Sequence, residues 1–283
     1  MNILTFDIED WWVYKQYGIE LESVYRTRLD NYLNQVLDTL DDKNFKATFF
    51  CLGALAKNYP EVVKQIQNRG HHIGCHSFSH NFFKDLPRKI FEEDTKKGIQ
   101  ILEDLTGEKI TAYRAPAFSI TENNKWAFEV LAKNGILYDS SIFPTNRSFG
   151  GFPTYKTDQP AIVEYNGTYL KEFPISLTKI LGKEIAYSGG GYFRLFPYRK
   201  IKSIINKSNY VMTYFHIKDF DKEQVKQFKS LAGENAFSRY LKSYYGLSSS
   251  FSKFNELLND FDFVSIKQAD EKINWDSRLK ITF

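Results

Sequence analysis

The sequence predicts an α/β fold of parallel strands joined by crossover helices, and three observations predict it. Short apolar runs, too short for helices, recur along the chain. Between them lie segments whose apolar residues are spaced three and four apart, the pattern of a helix with one buried face. Polar or charged residues gather just after each apolar run, where parallel α/β folds collect their functional groups.

Ile3–Phe6 is the first run, ended by Asp7-Ile8-Glu9-Asp10, and reads as a buried parallel strand. The stretch to about residue 25 is aromatic and irregular. Leu29, Tyr32, Leu33, Val36, Leu37 and Leu40 mark one face of a helix over 29–42. Ala47–Leu52 is a second buried strand, closed by Gly53. Pro60 to Gly70 reads as a helix, with proline in its first turn and glycine as its stop. His72–Cys75 is a third strand, followed by His76-Ser77-Phe78-Ser79-His80. A helix over 87–105 ends at Gly107, and Ala112-Tyr113 starts a fourth strand that runs into Arg114-Ala115-Pro116. Residues 123–134 are helical again, and 135–139 lead to Asp139. Residues 140–209 break the alternation with many Pro and Gly, including Gly189-Gly190-Gly191, and read as an elaborated loop region forming a wall of the site. Tyr210–Phe215 is a late strand with His216 at its end, 251–261 a helix, and Phe263–Ile266 a final strand.

With 283 residues, 42% of them hydrophobic, the chain can bury a sizeable core. No repeat, low-complexity tract or linker divides it, so one domain spanning 1–283 is expected. A net charge of +4 without any Lys/Arg block gives no reason to expect a nucleic-acid partner. Two cysteines, Cys51 and Cys75, do not make a disulfide framework and read as buried free thiols. The N-terminal stretch lacks the basic and apolar regions of a signal peptide, and no run reaches the ~18 apolar residues of a transmembrane helix. A cytoplasmic protein is expected. The 25 Phe, 18 Tyr and 4 Trp read first as core, and some Tyr and Trp could line a sugar groove.

Two histidines four residues apart are a candidate metal clamp, His76 and His80; the bland reading is two solvated loop histidines. Imidazole is the commonest metal ligand, and one acid would complete a two-histidine, one-carboxylate set on zinc with a position left for water. No glutamate follows the first histidine, so the helical H-E-x-x-H pattern is excluded. The acid is Asp7, Glu9 or Asp10, unless those three only decorate an exposed loop or a helix N-terminus. Arg114 could be a surface ion pair, His216 a satisfied strand-end histidine, and the glycine triplet a flexible turn. Against these readings, Asp7, His76, His80, Arg114 and Asp139 all fall at or just beyond strand ends.

LTFD near the N-terminus, HSFSH, RAPAF and a late YFH stand in the order of the polysaccharide deacetylase motifs. The chain resembles the NodB-like domain of carbohydrate esterase family 4, from Ile3 to about Ile266. DIED in the first motif and GGGYFR before the late histidine resemble the subgroup tied to exopolysaccharide biosynthesis. The resemblance implies a distorted (β/α)7 barrel and a metal, zinc or another divalent transition ion. It implies Asp7 as catalytic base, His76 and His80 as metal ligands, Arg114 as the group that orients the base, and His216 as the acid that protonates the leaving amine.

The sequence departs from the family twice. Ile8 stands where a second aspartate is usual, so the ligand role passes to Glu9, which shares Asp7's side of an extended segment. YDSSIF stands where the family has an aspartate-tryptophan pair, leaving Asp139, Asp219 or Asp221 to tune His216. Pro116, Asp139, Tyr192 and Arg194 are the substrate-binding candidates.

The implied function is removal of N-acetyl groups from an amino-sugar unit of a bacterial surface glycan or its precursor. The substrate is an N-acetylated sugar or oligosaccharide, and glycan-assembly proteins at the membrane are the implied partners. The alternatives are an amidase of the same fold acting on a non-sugar C–N bond, and a catalytically silent glycan-binding module.

Overall fold

The structure is a computed structural model. It describes residues 1–9, 22–147, 150–224 and 244–283, with side chains of the first helix described from Leu29 onward. Seven parallel strands form its centre. In spatial order they are β12 (Phe215–His216), β2 (Thr5–Ile8), β3 (Thr48–Cys51), β4 (His72–Cys75), β5 (Ala112–Tyr113), β6 (Tyr138–Asp139) and β8 (Thr168–Glu172). β7 (Ala161–Tyr165) then pairs antiparallel with β8, and β13 (Lys280–Thr282) pairs parallel with β7 at the edge. β1 (Asn2–Ile3) leads into β2, and β11 (Val211–Met212), its parallel partner, leads into β12.

The crossovers are helices: α1 (Glu22–Asp42), α2 (Gly53–Asn58), α3 (Pro60–Asn68), α4 (Arg88–Thr106) and α5 (Trp126–Lys133). α4 ends where Gly107 takes a left-handed conformation, φ 70°, the usual glycine stop. Strand alternation sorts the core into two layers. Phe6, Phe49, Ile73 and Tyr113 face the helices, with the Phe6 and Phe49 rings stacked at 4.8 Å. Phe50, Ala112, Tyr138, Phe173 and Met212 fill the inside of the barrel.

The distortion of the barrel lies where it closes. Between the chain after β8 and β11 the contacts are side-chain hydrogen bonds: Tyr210 Oη donates to the Pro174 carbonyl (2.8 Å), and the Met212 amide donates to Ser176 Oγ (3.0 Å). The (β/α)7 barrel expected from the motifs is thus the fold found, opened at one seam.

Three expectations about elements need correction. Residues 140–209 are not only a loop: they hold β7, β8, the hairpin β9 (Thr178–Ile180) and β10 (Lys183–Ile185), and the helices α6 (Gly190–Leu195) and α7 (Tyr198–Ile205). Phe263–Ile266 is not a strand; Val264 makes a single bridge to Ile3, and the Ser265 side chain then caps α9 (Ile266–Lys272). The helix expected at 251–261 is longer, α8 (Leu247–Asp260). Among the described residues no helix is long and apolar enough to cross a membrane. Cys51 and Cys75 are buried, unbonded and opposite one another on β3 and β4.

Candidate active site

The C-terminal ends of β2, β4, β5 and β12 carry the site. Register sets its first pair: Asp7 on β2 lies directly across from His216 on β12. Asp7 points into the barrel, and two residues later Glu9 does the same, both buried. His76 follows β4 immediately.

The loop that brings His80 back to the same point is clamped from two sides. The α2 amides of Gly53 and Ala54 donate to the carbonyls of Ser77 and Phe78, at 2.8 and 2.9 Å. The amides of Phe78 and Ser79 donate to the Asp94 carboxylate of α4, at 2.8 and 3.1 Å. Ser77 and His80 both adopt left-handed backbone conformations, φ 66° and 62°. That conformation is uncommon for residues other than glycine and is held here by these bonds. Asp94 went unremarked in the sequence. The signal was present, an acid three residues after Phe91 on the buried face of a helix.

His76 Nε2 and His80 Nε2 converge on one oxygen of Glu9, the first at 3.0 Å. The three donor atoms lie within 4.8 Å of one another. This set fits a metal ion. His76 Nδ1 lies 2.8 Å from the Arg114 carbonyl, which can only accept, so Nδ1 carries the proton. With Nδ1 committed to that carbonyl, Nε2 is the nitrogen left to share a cation with Glu9. A backbone bond that fixes the ring nitrogen in this way is the usual outer support of a histidine ligand. Asp10 lies outside the described residues.

Arg114 is wholly buried. Its Nη1 donates to Asp7 Oδ1 at 2.7 Å, while Nε and Nη2 donate to the carbonyl and hydroxyl of Ser140, at 3.3 and 3.0 Å. The Phe50 ring lies 4.3 Å from the guanidinium carbon. The other Asp7 oxygen, Oδ2, is 3.9 Å from His216 Nε2.

His216 is bracketed by carboxylates. Nε2 is 3.2 Å from Glu9 Oε1, and Nδ1 is 3.4 Å from Asp219 Oδ2. Burial lowers its pKa, but Glu9 and the Asp219 hydrogen bond outweigh burial and carry it to about 10. Asp219 is held down to about 2, because its bond to His216 and the nearby Arg194 overcome burial. For Glu9, too, burial is overcome by His80, Lys218 and His216, and it lies well below the usual carboxylate range. Lys218 Nζ reaches Glu9 Oε1 at 3.1 Å and was not anticipated from the sequence.

Of the three acids that could tune His216, Asp219 is the one in contact. Asp139 is elsewhere, and strand alternation is the reason. Tyr138 takes the inward position on β6, Asp139 faces outward, and Ser140 turns inward to Arg114. Asp139 is wholly buried against Glu172, its register partner on β8. Burial raises its pKa to about 6 and raises that of Glu172 well above the usual range. Asp139 is therefore neither a substrate contact nor the partner of His216.

Pro116 is buried in the turn after Arg114, and Tyr192 is exposed. Arg194 is buried, its Nε 3.6 Å from Asp219 Oδ1. Of the glycine triplet, Gly189 is a packing requirement, since a Cβ there would lie 2.5 Å from the Tyr214 carbonyl oxygen. His71 and His72, which crowd the clamp in sequence, are structural. Burial lowers both to about 4.

The family model described as "Polysaccharide deacetylase" matches residues 3–137, which contain Asp7, Glu9, His76, His80 and Arg114. Residues 3–137 therefore match a polysaccharide deacetylase domain. A second model, "Domain of unknown function (DUF3473)", matches residues 140–271 and so contains His216. A peptidoglycan-N-acetylglucosamine deacetylase of Bacillus cereus is 40% identical over 96 residues, 34% of this chain and 35% of that protein. The match thus spans about a third of that relative. A crystal structure from Mycobacterium smegmatis assigned to the polysaccharide deacetylases superimposes with a TM-score of 0.69 at 18% identity, covering 100% of this chain and 92% of that one. A pseudoenzyme of carbohydrate esterase family 4 from Bacillus anthracis superimposes with a TM-score of 0.51 at 13% identity, covering 100% and 69%. The fold is therefore found in a pseudoenzyme too, and the site must carry any argument for activity.

Proposed function

We propose that this chain hydrolyses the N-acetyl group of an amino-sugar unit in a bacterial surface glycan or its precursor, using a divalent metal. One observation carries the reading: Glu9, His76 and His80 converge within 4.8 Å while Asp7 and His216 face each other beside them. Zinc or another divalent ion held by those three residues would lower the pKa of a bound water towards ~7 and polarise the acetyl carbonyl.

The chain's own groups supply the proton transfers. Arg114 occupies Asp7 Oδ1, which leaves Oδ2 to take the water proton. The water oxygen joins the acetyl carbon, the C–N bond breaks, and acetate leaves. The departing nitrogen takes its proton from His216, which Asp219 orients from behind. Lys218 on Glu9 Oε1 keeps the other Glu9 oxygen turned to the imidazoles.

The exopolysaccharide assignment rests on the DIED and GGGYFR segments, and with it go a cytoplasmic site of action and glycan-assembly partners at the membrane. We read 1–283 as one domain because the β6–β8 ladder runs straight across the boundary between the two matched stretches. The pseudoenzyme with this fold keeps a second reading in view, a silent glycan-binding module.

Substrate profiling tests the proposal. Metal-loaded protein is expected to release acetate from N-acetylated sugars. Turnover confined to simple amides or cyclic ureides would make it an amidase, and sugar binding with no turnover would make it the silent module.

A further inference from the structure

Three cations at the site already face carboxylates: Arg114 faces Asp7, Lys218 faces Glu9 and Arg194 faces Asp219. Among the described residues, a fourth does not. Arg147, exposed at the residue level, stands over aromatic rings instead; burial of its guanidinium lowers its pKa, which Tyr214 and Tyr192 only partly offset.

Its position is built. The guanidinium carbon lies 4.4 Å from the centre of the Phe143 ring and 5.2 Å from that of Phe118. Arg114 lies 5.7 Å from the same Phe118 ring, so one aromatic ring separates Arg147 from the arginine that holds Asp7. The backbone around it is pinned. The Gly151 amide donates to the Phe118 carbonyl at 3.0 Å, and a Cβ on Gly150 would lie 2.1 Å from that carbonyl oxygen. Gly151 itself, φ 95°, leaves no room for a Cβ beside Thr145 O, which would be 2.3 Å away. Gly150 and Gly151 therefore pack against the turn after Arg114. Tyr214, whose ring meets those of Phe118 and Phe143 at 5.8 and 6.3 Å between centres, immediately precedes the strand that ends in His216.

We infer that Arg147 is a specificity residue which binds an anionic oxygen group, carboxylate or phosphate, on the N-acetylated sugar. A planar guanidinium set over aromatic rings is suited to bidentate contact with either group. The inference rests on the amino-sugar reading above. It also reassigns a role, because Arg194, the sequence candidate for a charged sugar substituent, lies buried behind Asp219.

The test compares three probes on the metal-loaded protein: a neutral N-acetylglucosamine oligomer, an oligomer of the same size containing N-acetylmuramic acid, and N-acetylglucosamine 1-phosphate. Binding is read by calorimetry and turnover by acetate release. Wild type is expected to bind at least one anionic probe about tenfold or more tightly than the neutral one, a preference that shrinks with added salt. Whichever anionic probe shows the preference identifies the source of the charge. Arg147→Gln is expected to weaken that probe about tenfold more than the neutral one. Arg147→Lys, which keeps charge but loses the planar fork, is expected to fall between. No preference in wild type, or an equal effect of Arg147→Gln on charged and neutral probes, would overturn the inference. Absence of acetate release from every probe would instead overturn the deacetylase reading, while the binding ratio still decides the role of Arg147.

Discussion

The stretches before and after residue 138 build the same site by different means. The first places Asp7, Glu9, His76, His80 and Arg114 at the ends of consecutive parallel strands, and its helices lock the loop between the histidines. The second supplies His216 with Asp219 and Lys218 from one turn, and walls the barrel with antiparallel pieces. One seam between them is β6, which pairs with β5 on one side and buries Asp139 against Glu172 of β8 on the other. Under the proposed mechanism the contrast separates the work: the first region would hold the metal and the base, and the second would deliver the acid.

Variants can break that contrast. His76→Ala is expected to abolish metal binding and reduce acetate release to background, read by metal content and activity together. Asp7→Asn is expected to keep the metal yet lower kcat by about 10²–10⁴-fold, the usual worth of a general base. In the second region, His216→Asn is expected to lower kcat on the same scale and leave metal content intact. Metal loss in His216→Asn would mean that the two regions do not divide the work. Asp219→Asn is expected to cost about tenfold in kcat, since it removes one bond to a charged group and leaves His216 in place.

The smallest effect tests the seam, and concerns stability. Glu172 has a folded pKa raised above its unfolded value, so its stabilising contribution is full below the unfolded value and is lost as pH rises towards the folded one. Asp139 behaves likewise, losing its contribution as pH rises through about 6. Glu172→Gln is expected to flatten the decline of stability with rising pH, by at most about 1.4 kcal/mol per pH unit for one proton. Denaturant midpoints between pH 5 and 9 check it, and parallel curves for both proteins would refute a protonated pair.

The first region was legible in the sequence because each signal there is local. Its strands are short apolar runs, its helices have regular spacing, and His76 and His80 stand four residues apart. The second region hid its strands. β9 and β10 are exposed or half-buried along their length, so no apolar run marks them. β7 and β8 carried one readable sign, Asn166-Gly167, whose positive φ values of 47° and 72° make the tight hairpin turn that this dipeptide favours. Asp139 was misplaced because its distance along the chain suits the site while its parity on the strand turns it away. Asp94, Lys218 and Arg147 act through contacts remote in sequence, to Ser79, Glu9 and Phe118, which no local pattern encodes.

The most direct test of the metal-dependent reading is acetate release from an N-acetylglucosamine oligomer while metal-free protein is titrated with Zn²⁺. The account predicts that release rises and saturates at one equivalent per chain, and that Glu9→Ala shifts the titration to far higher zinc. Release that is full before any metal is added, or that is indifferent to Glu9→Ala, would contradict it.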